Sequence, residues 1–236
     1  MIVSHQHQFI FIKTRKTAGT SIEIALSQYC GSEDIITPMS KIDEAKRSEM
    51  GFRGPQNYLA DKGGYSFFEW LGSLRSKNKY QFYNHMPASI IKERIGADIW
   101  DSYFKFTFER NPYDKAVSKF FWSNKRKQKP QEINYYLQHC ETYKISNWNL
   151  YSINDKLAVN FVGKFENLAE DLEEIRIILG LPGEFALPHT KDQTRKDKRH
   201  YSELLNEESR RRLSATCQRE IELLNYSWEQ RELDKL

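Results

Sequence analysis

The chain has 236 residues, enough for one α/β domain with a sizeable core and too few for two comfortable ones. Its net charge of +4 suits an anionic ligand but falls short of the basic stripes of a dedicated nucleic-acid binder. No apolar run nears the ~20 residues needed to cross a bilayer and no signal-peptide pattern opens the chain. Cys30, Cys140 and Cys217 have neither disulfide nor zinc spacing, so the expectation is a soluble, cytoplasmic protein with reduced thiols and no metal site.

In chain order, Phe9–Ile12 is a short apolar run typical of a buried parallel strand. Helical spacing follows in Ile22, Ile24, Ala25, Leu26 and Tyr29, ending at Gly31. Residues 32–84 are punctuated by glycines and carry an aromatic patch, Tyr65–Leu71; such a stretch reads as a lid or insertion. A helix is predicted from Ala88 to Ile95, stopped by Gly96. Tyr103–Phe108 reads as a second strand, and Asn111 and Pro112 fit the N-cap and first position of the helix that runs through Trp122. The basic run 125–129 reads as a solvated helix end, and 130–157 as a second excursion. Val159–Phe165 is predicted as a third strand, before a periodic helix with Leu168, Leu172, Ile175 and Leu179, closed by Gly180. A basic loop over 188–201 precedes a last helix, Asn206–Leu224. Strands alternating with helices predict a parallel sheet covered on both faces.

Two strand-to-helix junctions carry the chemistry: Phe9-Ile-Phe-Ile-Lys-Thr-Arg-Lys-Thr-Ala-Gly-Thr-Ser21, and Phe104-Lys-Phe-Thr-Phe-Glu-Arg-Asn-Pro-Tyr-Asp-Lys-Ala-Val-Ser118. Each puts a helix N-terminus and a cation, Lys16 or Arg110, at the end of a strand, which suits an anion. Two such junctions fit a ligand with two separate phosphates. A Walker A kinase loop would need glycines at positions 10 and 15, which hold Ile10 and Arg15. Only Glu109, an acid ending an apolar strand, imitates a kinase's magnesium-holding residue.

Lys13-Thr-Arg-Lys-Thr-Ala-Gly-Thr-Ser21 resembles the phosphosulfate loop, PKTAGTS, of Golgi-type carbohydrate sulfotransferases and their bacterial relatives. Phe106–Ser118 resembles the same family's 3′-phosphate motif, RNPxxRxxS, and Val162–Leu168 and Asn225–Trp228 look like its later landmarks. The resemblance spans most of the chain in the right order. It implies a P-loop-like α/β three-layer sandwich with a central parallel sheet, formed by 1–236 as a single domain with acceptor-binding insertions at 41–84 and 124–157. It also implies transfer of a sulfuryl group from 3′-phosphoadenosine 5′-phosphosulfate (PAPS) to a carbohydrate hydroxyl, releasing adenosine 3′,5′-bisphosphate (PAP), without a metal.

On that resemblance Lys16 stabilises the leaving 5′-phosphate, while Arg15, Thr17, Ala18, Gly19, Thr20 and Ser21 line the donor. Arg110 and Ser118 take the 3′-phosphate, with Arg195 or Lys198 of the basic loop as a further contact or a solvated residue. His85, in Tyr-Asn-His-Met-Pro, is the expected base, the alternative being a cap of the next helix. Arg15 replaces the family's proline and Glu109 its apolar residue; a Glu109–Arg110 pair would orient the guanidinium. The rival readings are an ATP-magnesium phosphotransferase and a nucleotide-binding relative that has lost turnover. The acceptor's identity and the oligomeric state are not written in the sequence.

Overall fold

The computed structural model describes residues 1–59, 81–125, 127–128, 131–188, 195 and 197–229. The aromatic patch 65–71 and most of the 188–196 stretch lie outside them. The described elements begin with β1 (Ile2–Ser4), β2 (Phe9–Phe11), α1 (Gly19–Ser27), β3 (Ile35–Ile36) and α2 (Lys41–Glu49). Then come α3 (Ala88–Ile95), α4 (Ala97–Ser102), β4 (Phe104–Glu109), α5 (Pro112–Asn124), α6 (Ile133–His139) and α7 (Trp148–Tyr151). A hairpin of β5 (Ser152–Ile153) and β6 (Lys156–Leu157) leads to β7 (Phe161–Lys164) and α8 (Leu168–Ile178). The chain closes with α9 (Tyr201–Leu204), α10 (Glu207–Thr216) and α11 (Gln218–Leu224). No described helix is long and apolar enough to cross a membrane.

The central sheet has the order β3-β1-β2-β4-β7. Its parallel part, β2-β4-β7, is made of the three expected strands, with Phe9 opposite Phe104 and Phe108 opposite Gly163. A Cβ at Gly163 would fall 2.4 Å from the Phe108 ring, so only glycine lets that ring lie across β7. The antiparallel part, β1 and β3, makes the sheet mixed rather than wholly parallel. Strand β1 is an interior strand with neighbours on both sides, joined to β2 by a tight turn.

The pleat sorts the core into two faces. Val3, Ile10 and Ile12 meet Ala88 and Ile91 of α3, Trp100 of α4 and Leu150 and Tyr151 of α7. Phe9, Phe11, Phe106 and Phe108 meet Ile22 and Leu26 of α1 and Leu172 and Ile175 of α8. Helices thus cover both faces, as an α/β layered fold requires. A third cluster joins α5, α6 and α10 through Val117, Leu137 and Leu213. The expected last helix is two: at Cys217, φ −112° and ψ 25° leave the helical region, although its N–H still reaches Leu213 at 2.9 Å.

Beneath the first junction is a buried ion cluster. Glu23 of α1, 0% exposed, pairs with Lys13 Nζ at 2.6 Å, with the Met1 nitrogen at 3.0 Å and with Arg47 of α2 at 3.6 Å. The Thr37 hydroxyl donates to it at 3.0 Å. Burial alone would raise the Glu23 carboxyl, but Lys13 and its neighbours outweigh that and hold it at about 2. Removing one partner of such a cluster strands the others, so Glu23→Ala should cost about 3–5 kcal/mol in urea unfolding. The folded carboxyl binds its proton less tightly than the unfolded one, ordinarily at 4.5, so this stabilisation is present above about pH 4.5 and is lost as pH falls toward 2. A Glu23→Ala protein with wild-type stability at pH 7 would show that the cluster contributes nothing.

Candidate functional site

The β2–β4 pairing does not stop where the strands end. Ile12 N–H donates to the Phe106 carbonyl at 2.9 Å, and Thr107 Oγ1 to the Ile12 carbonyl at 2.7 Å. The Thr14 hydroxyl then donates to the Phe108 carbonyl, leaving its oxygen to accept from Thr17 Oγ1 at 2.8 Å. Side chains so extend a parallel ladder into both turns and hold them side by side.

In the first turn Lys16 and Ala18 have φ of 66° and 56°. Left-handed backbone is ordinary for Asn or Asp in turns; for Lys and Ala it is uncommon and costs of order 1 kcal/mol each. Ala18, at the N-cap of α1, has no side chain to accept from the first-turn N–H groups. Gly19 opens the helix because a Cβ there would fall 2.9 Å from Lys13 Cγ. Thr17 and Ser21 are buried, Arg15, Lys16, Ala18 and Thr20 half-buried. The inward bond of Thr17 commits its hydroxyl proton within the protein.

In the second turn, Asn111 caps α5 by accepting from Tyr113 N–H at 3.1 Å, with Pro112 in the first helical position. The Arg110 guanidinium stacks 4.0 Å from the Phe165 ring and approaches the Lys16 carbonyl at 3.5 Å. Its carboxylate partner is Asp114, at 2.6 Å from Nε, rather than Glu109. Asp114 also binds Arg195 at 2.5 Å, so one carboxylate gathers both guanidiniums. Burial opposes its charge, yet Arg110 and Arg195 hold Asp114 below the usual carboxylate range. Ser118 lies two turns along α5, half-buried.

Glu109 faces inward. It accepts from Lys115 Nζ at 2.8 Å and from Arg110 N–H at 2.9 Å, with Glu220 at 3.8 Å from the same ammonium. Burial raises the Glu109 carboxyl, more than Lys115 lowers it. A carboxylate spent on a buried lysine does not match the magnesium-holding acid of the kinase reading. The two later landmarks converge on the same turn. Glu166 accepts from Asn111 N–H at 2.7 Å and from the Tyr226 hydroxyl at 2.9 Å, and Trp228 meets Tyr113 edge-on at 4.8 Å.

His85 sits beside the first turn, also at positive φ, 60°. Its Nδ1 lies 3.0 Å from the Lys13 carbonyl, which can only accept, so Nδ1 carries the proton and Nε2 is the basic nitrogen. Burial, the Lys13 ammonium and Arg15 push its pKa down to about 4, against which the Lys13 carbonyl bond works. At neutral pH the ring is uncharged, as a proton acceptor must be.

The fold therefore brings Lys16, Arg110, Arg195 and His85 to one edge of the sheet, from segments the sequence separates widely. Sequence reasoning missed Asp114, Phe165 and Thr14, whose roles depend on contacts between segments. An exposed indole, Trp122 of α5, completes the setting: it is 43% exposed, with the ammoniums of Lys119, Lys125 and Lys16 at 4.7, 5.5 and 5.8 Å from its centroid. Among the described residues no group of three or more His, Cys, Asp or Glu could hold a metal ion.

In comparison with known proteins, the model of a family described as "Sulfotransferase family" matches residues 1–227. A curated protein of Archaeoglobus fulgidus, itself described only as "Uncharacterized protein", is 38% identical over 109 residues, covering 42% of this chain and 86% of its own. No solved structure matches.

The His85 environment yields a direct expectation. In an NMR titration its ring should stay neutral, with the proton on Nδ1, down to about pH 5, and take up its second proton near 4. Protonation near the ordinary 6.5 would mean that the ring is open to solvent and away from the Lys13 carbonyl.

Proposed function

The chain belongs to the sulfotransferase family, and from that premise we propose that it moves the sulfuryl group of PAPS in line onto a hydroxyl of a carbohydrate acceptor, with His85 as the base. Sulfuryl transfer is the family's chemistry; donor, acceptor and residue roles are our reading. The observation that carries it is the meeting of the two cationic turns, with Arg110 Nη1 at 3.5 Å from the Lys16 carbonyl. One ligand with anions at both ends of a nucleoside spans such a pair.

The residues fit that donor. The phosphosulfate would lie over the Lys16 turn and the start of α1, where the helix dipole favours negative charge. The 3′-phosphate would meet Arg110 and Arg195, pre-gathered by Asp114, with the Ser118 hydroxyl from α5. Each charge-assisted contact is worth about 1.5–3 kcal/mol. Arg15, Thr17, Ala18, Thr20 and Ser21 complete the donor turn.

In the transfer, the acceptor hydroxyl gives its proton to His85 Nε2 as its oxygen bonds to sulfur. The bond between sulfur and the 5′-phosphate oxygen breaks, and PAP leaves with the electron pair. Lys16 stabilises the charge that builds on that oxygen. A base with a pKa near 4 is too weak to ionise a sugar hydroxyl beforehand, so the proton moves together with sulfur. The reaction then needs no protonation change on His85 across the neutral range.

For the acceptor we favour a saccharide. Trp122, exposed and within 5.8 Å of Lys16 Nζ, offers an aromatic face on which a sugar ring stacks beside the reacting sulfur. We read residues 41–84 and 124–157 as the acceptor side of a single transferase domain over 1–236.

Thermal shift with PAP tests the donor. At 100 times its Kd, PAP should add about 2.7 kcal/mol of stability, while ATP with magnesium should add little. No stabilisation by PAP would overturn the assignment, and stabilisation without transfer to any glycan would mark a relative that has lost turnover. Given transfer, Lys16→Ala should lower kcat about 10²–10³-fold. His85→Ala should abolish transfer yet bind PAP within about threefold of the wild type; lost PAP binding would make His85 structural.

A further inference from the structure

Asn147, between α6 and α7, is 0% exposed and reaches across the fold to the donor turn. Its side chain spans both backbone groups of Arg15: Arg15 N–H donates to Oδ1 at 3.1 Å, and Nδ2 donates to the Arg15 carbonyl at 3.1 Å. The two residues are 132 positions apart, and the pair of bonds copies one rung of a β-ladder with a side chain in place of a strand. Asn is one of two side-chain types that hold a donor and an acceptor on one short planar group.

Asn147 is itself fixed. Its N–H donates to Glu220 Oε1 at 3.0 Å, which also accepts from Ser146 Oγ at 2.6 Å. Glu220, buried on α11, lies 3.8 Å from the Lys115 ammonium. A continuous chain of polar contacts therefore runs from α11 through Asn147 to the peptide joining Arg15 to Lys16. The φ angle of Lys16 is rotation about the bond next to that peptide plane, and it holds the uncommon value of 66°. With the plane pinned at its carbonyl, the turn loses its easiest way of relaxing Lys16 to an ordinary conformation.

We propose that Asn147 is a positioning residue for sulfuryl transfer: it holds the 15–16 peptide so that Lys16 is aimed at the leaving phosphate. The proposal rests on the reading of Lys16 given above. Asn147 touches neither donor nor acceptor, and acts through the backbone of Arg15. The segment 124–157, read from sequence as acceptor-binding, thus also braces the donor turn.

The test is kinetic, with PAPS and a glycan acceptor that the wild type sulfates. Asn147→Ala should lower kcat about 10–100-fold, the scale expected of a slight misplacement of a catalytic group, and leave the acceptor KM within about threefold. Because Asn147 acts through Lys16, adding Asn147→Ala to Lys16→Ala should lower the rate by less than about threefold further. An unchanged kcat, or losses that multiply in the double variant, would overturn the proposal. Should Asn147→Ala fail to fold, hydrogen exchange of the wild type decides: the Arg15 amide, outside any helix or strand, should be strongly protected, and exchange at the rate of an open turn would overturn the clamp. If the wild type transfers nothing from PAPS, the functional reading fails, and Arg15 protection separately upholds or removes the clamp.

Discussion

Everything at this site depends on β2 and β4 remaining paired past the point where they end as strands. The Ile12 N–H, the Thr107 hydroxyl and the Thr14 hydroxyl carry the pairing three residues beyond Phe11, onto the carbonyls of Phe106, Ile12 and Phe108. Parallel neighbours deliver their C-terminal ends to one edge, where α/β sheets place ligands. Here the extra bonds also fix the spacing of the two turns. Without them Lys16 and Arg110 would ride on separate loops, and no single ligand would meet both in a fixed geometry.

Each turn rests on a buried lysine that never reaches the surface. Lys13 is neutralised by Glu23 beneath the first, and Lys115 by Glu109 beneath the second. These pairs cost desolvation and are weak arguments for stability as such. Their effect is orientation. Glu23 ties the end of β2 to α1 and α2, and Glu109 accepts the Arg110 N–H while Glu220 reaches Asn147. These buried clusters hold the two turns through Lys13 and Lys115, while the Arg110 guanidinium pairs with Asp114 instead. Positive φ at Lys16, Ala18 and His85 gathers backbone strain around the first turn, as strained residues often cluster at functional sites.

Local chemistry made much of this legible in the sequence. Asn111 and Pro112 start α5, Gly96 ends α3 and Gly180 follows α8, because caps and breakers act within a turn or two. The three parallel strands were visible as apolar runs. Segment 2–4 and the pair Ile35–Ile36 were not, being too short to carry a period and defined only by their partners. Helix α2 escaped because it has no apolar stripe: Ile42 is exposed, and Ser40 and Arg47 secure its ends. Lys16 and Arg110 stand out as candidates through motif order and Arg195 only as one cation of a basic loop that reads equally as solvated, whereas Asp114, which pairs with both arginines, was overlooked in favour of Glu109, the nearer acid in sequence. Asn147 and Glu220 lay beyond reach, since bonds spanning 132 and 73 positions leave no local trace.

The central claim is that one nucleotide spans both turns, its 3′-phosphate on Arg110. Calorimetric titration of adenosine 3′,5′-bisphosphate and adenosine 5′-monophosphate into the wild type and Arg110→Ala tests it most directly. The account predicts that the wild type prefers the bisphosphate at least tenfold, about 1.4 kcal/mol, and that Arg110→Ala loses most of that preference while still binding the monophosphate. Equal affinities in the wild type, or a preference that survives the loss of Arg110, would contradict it.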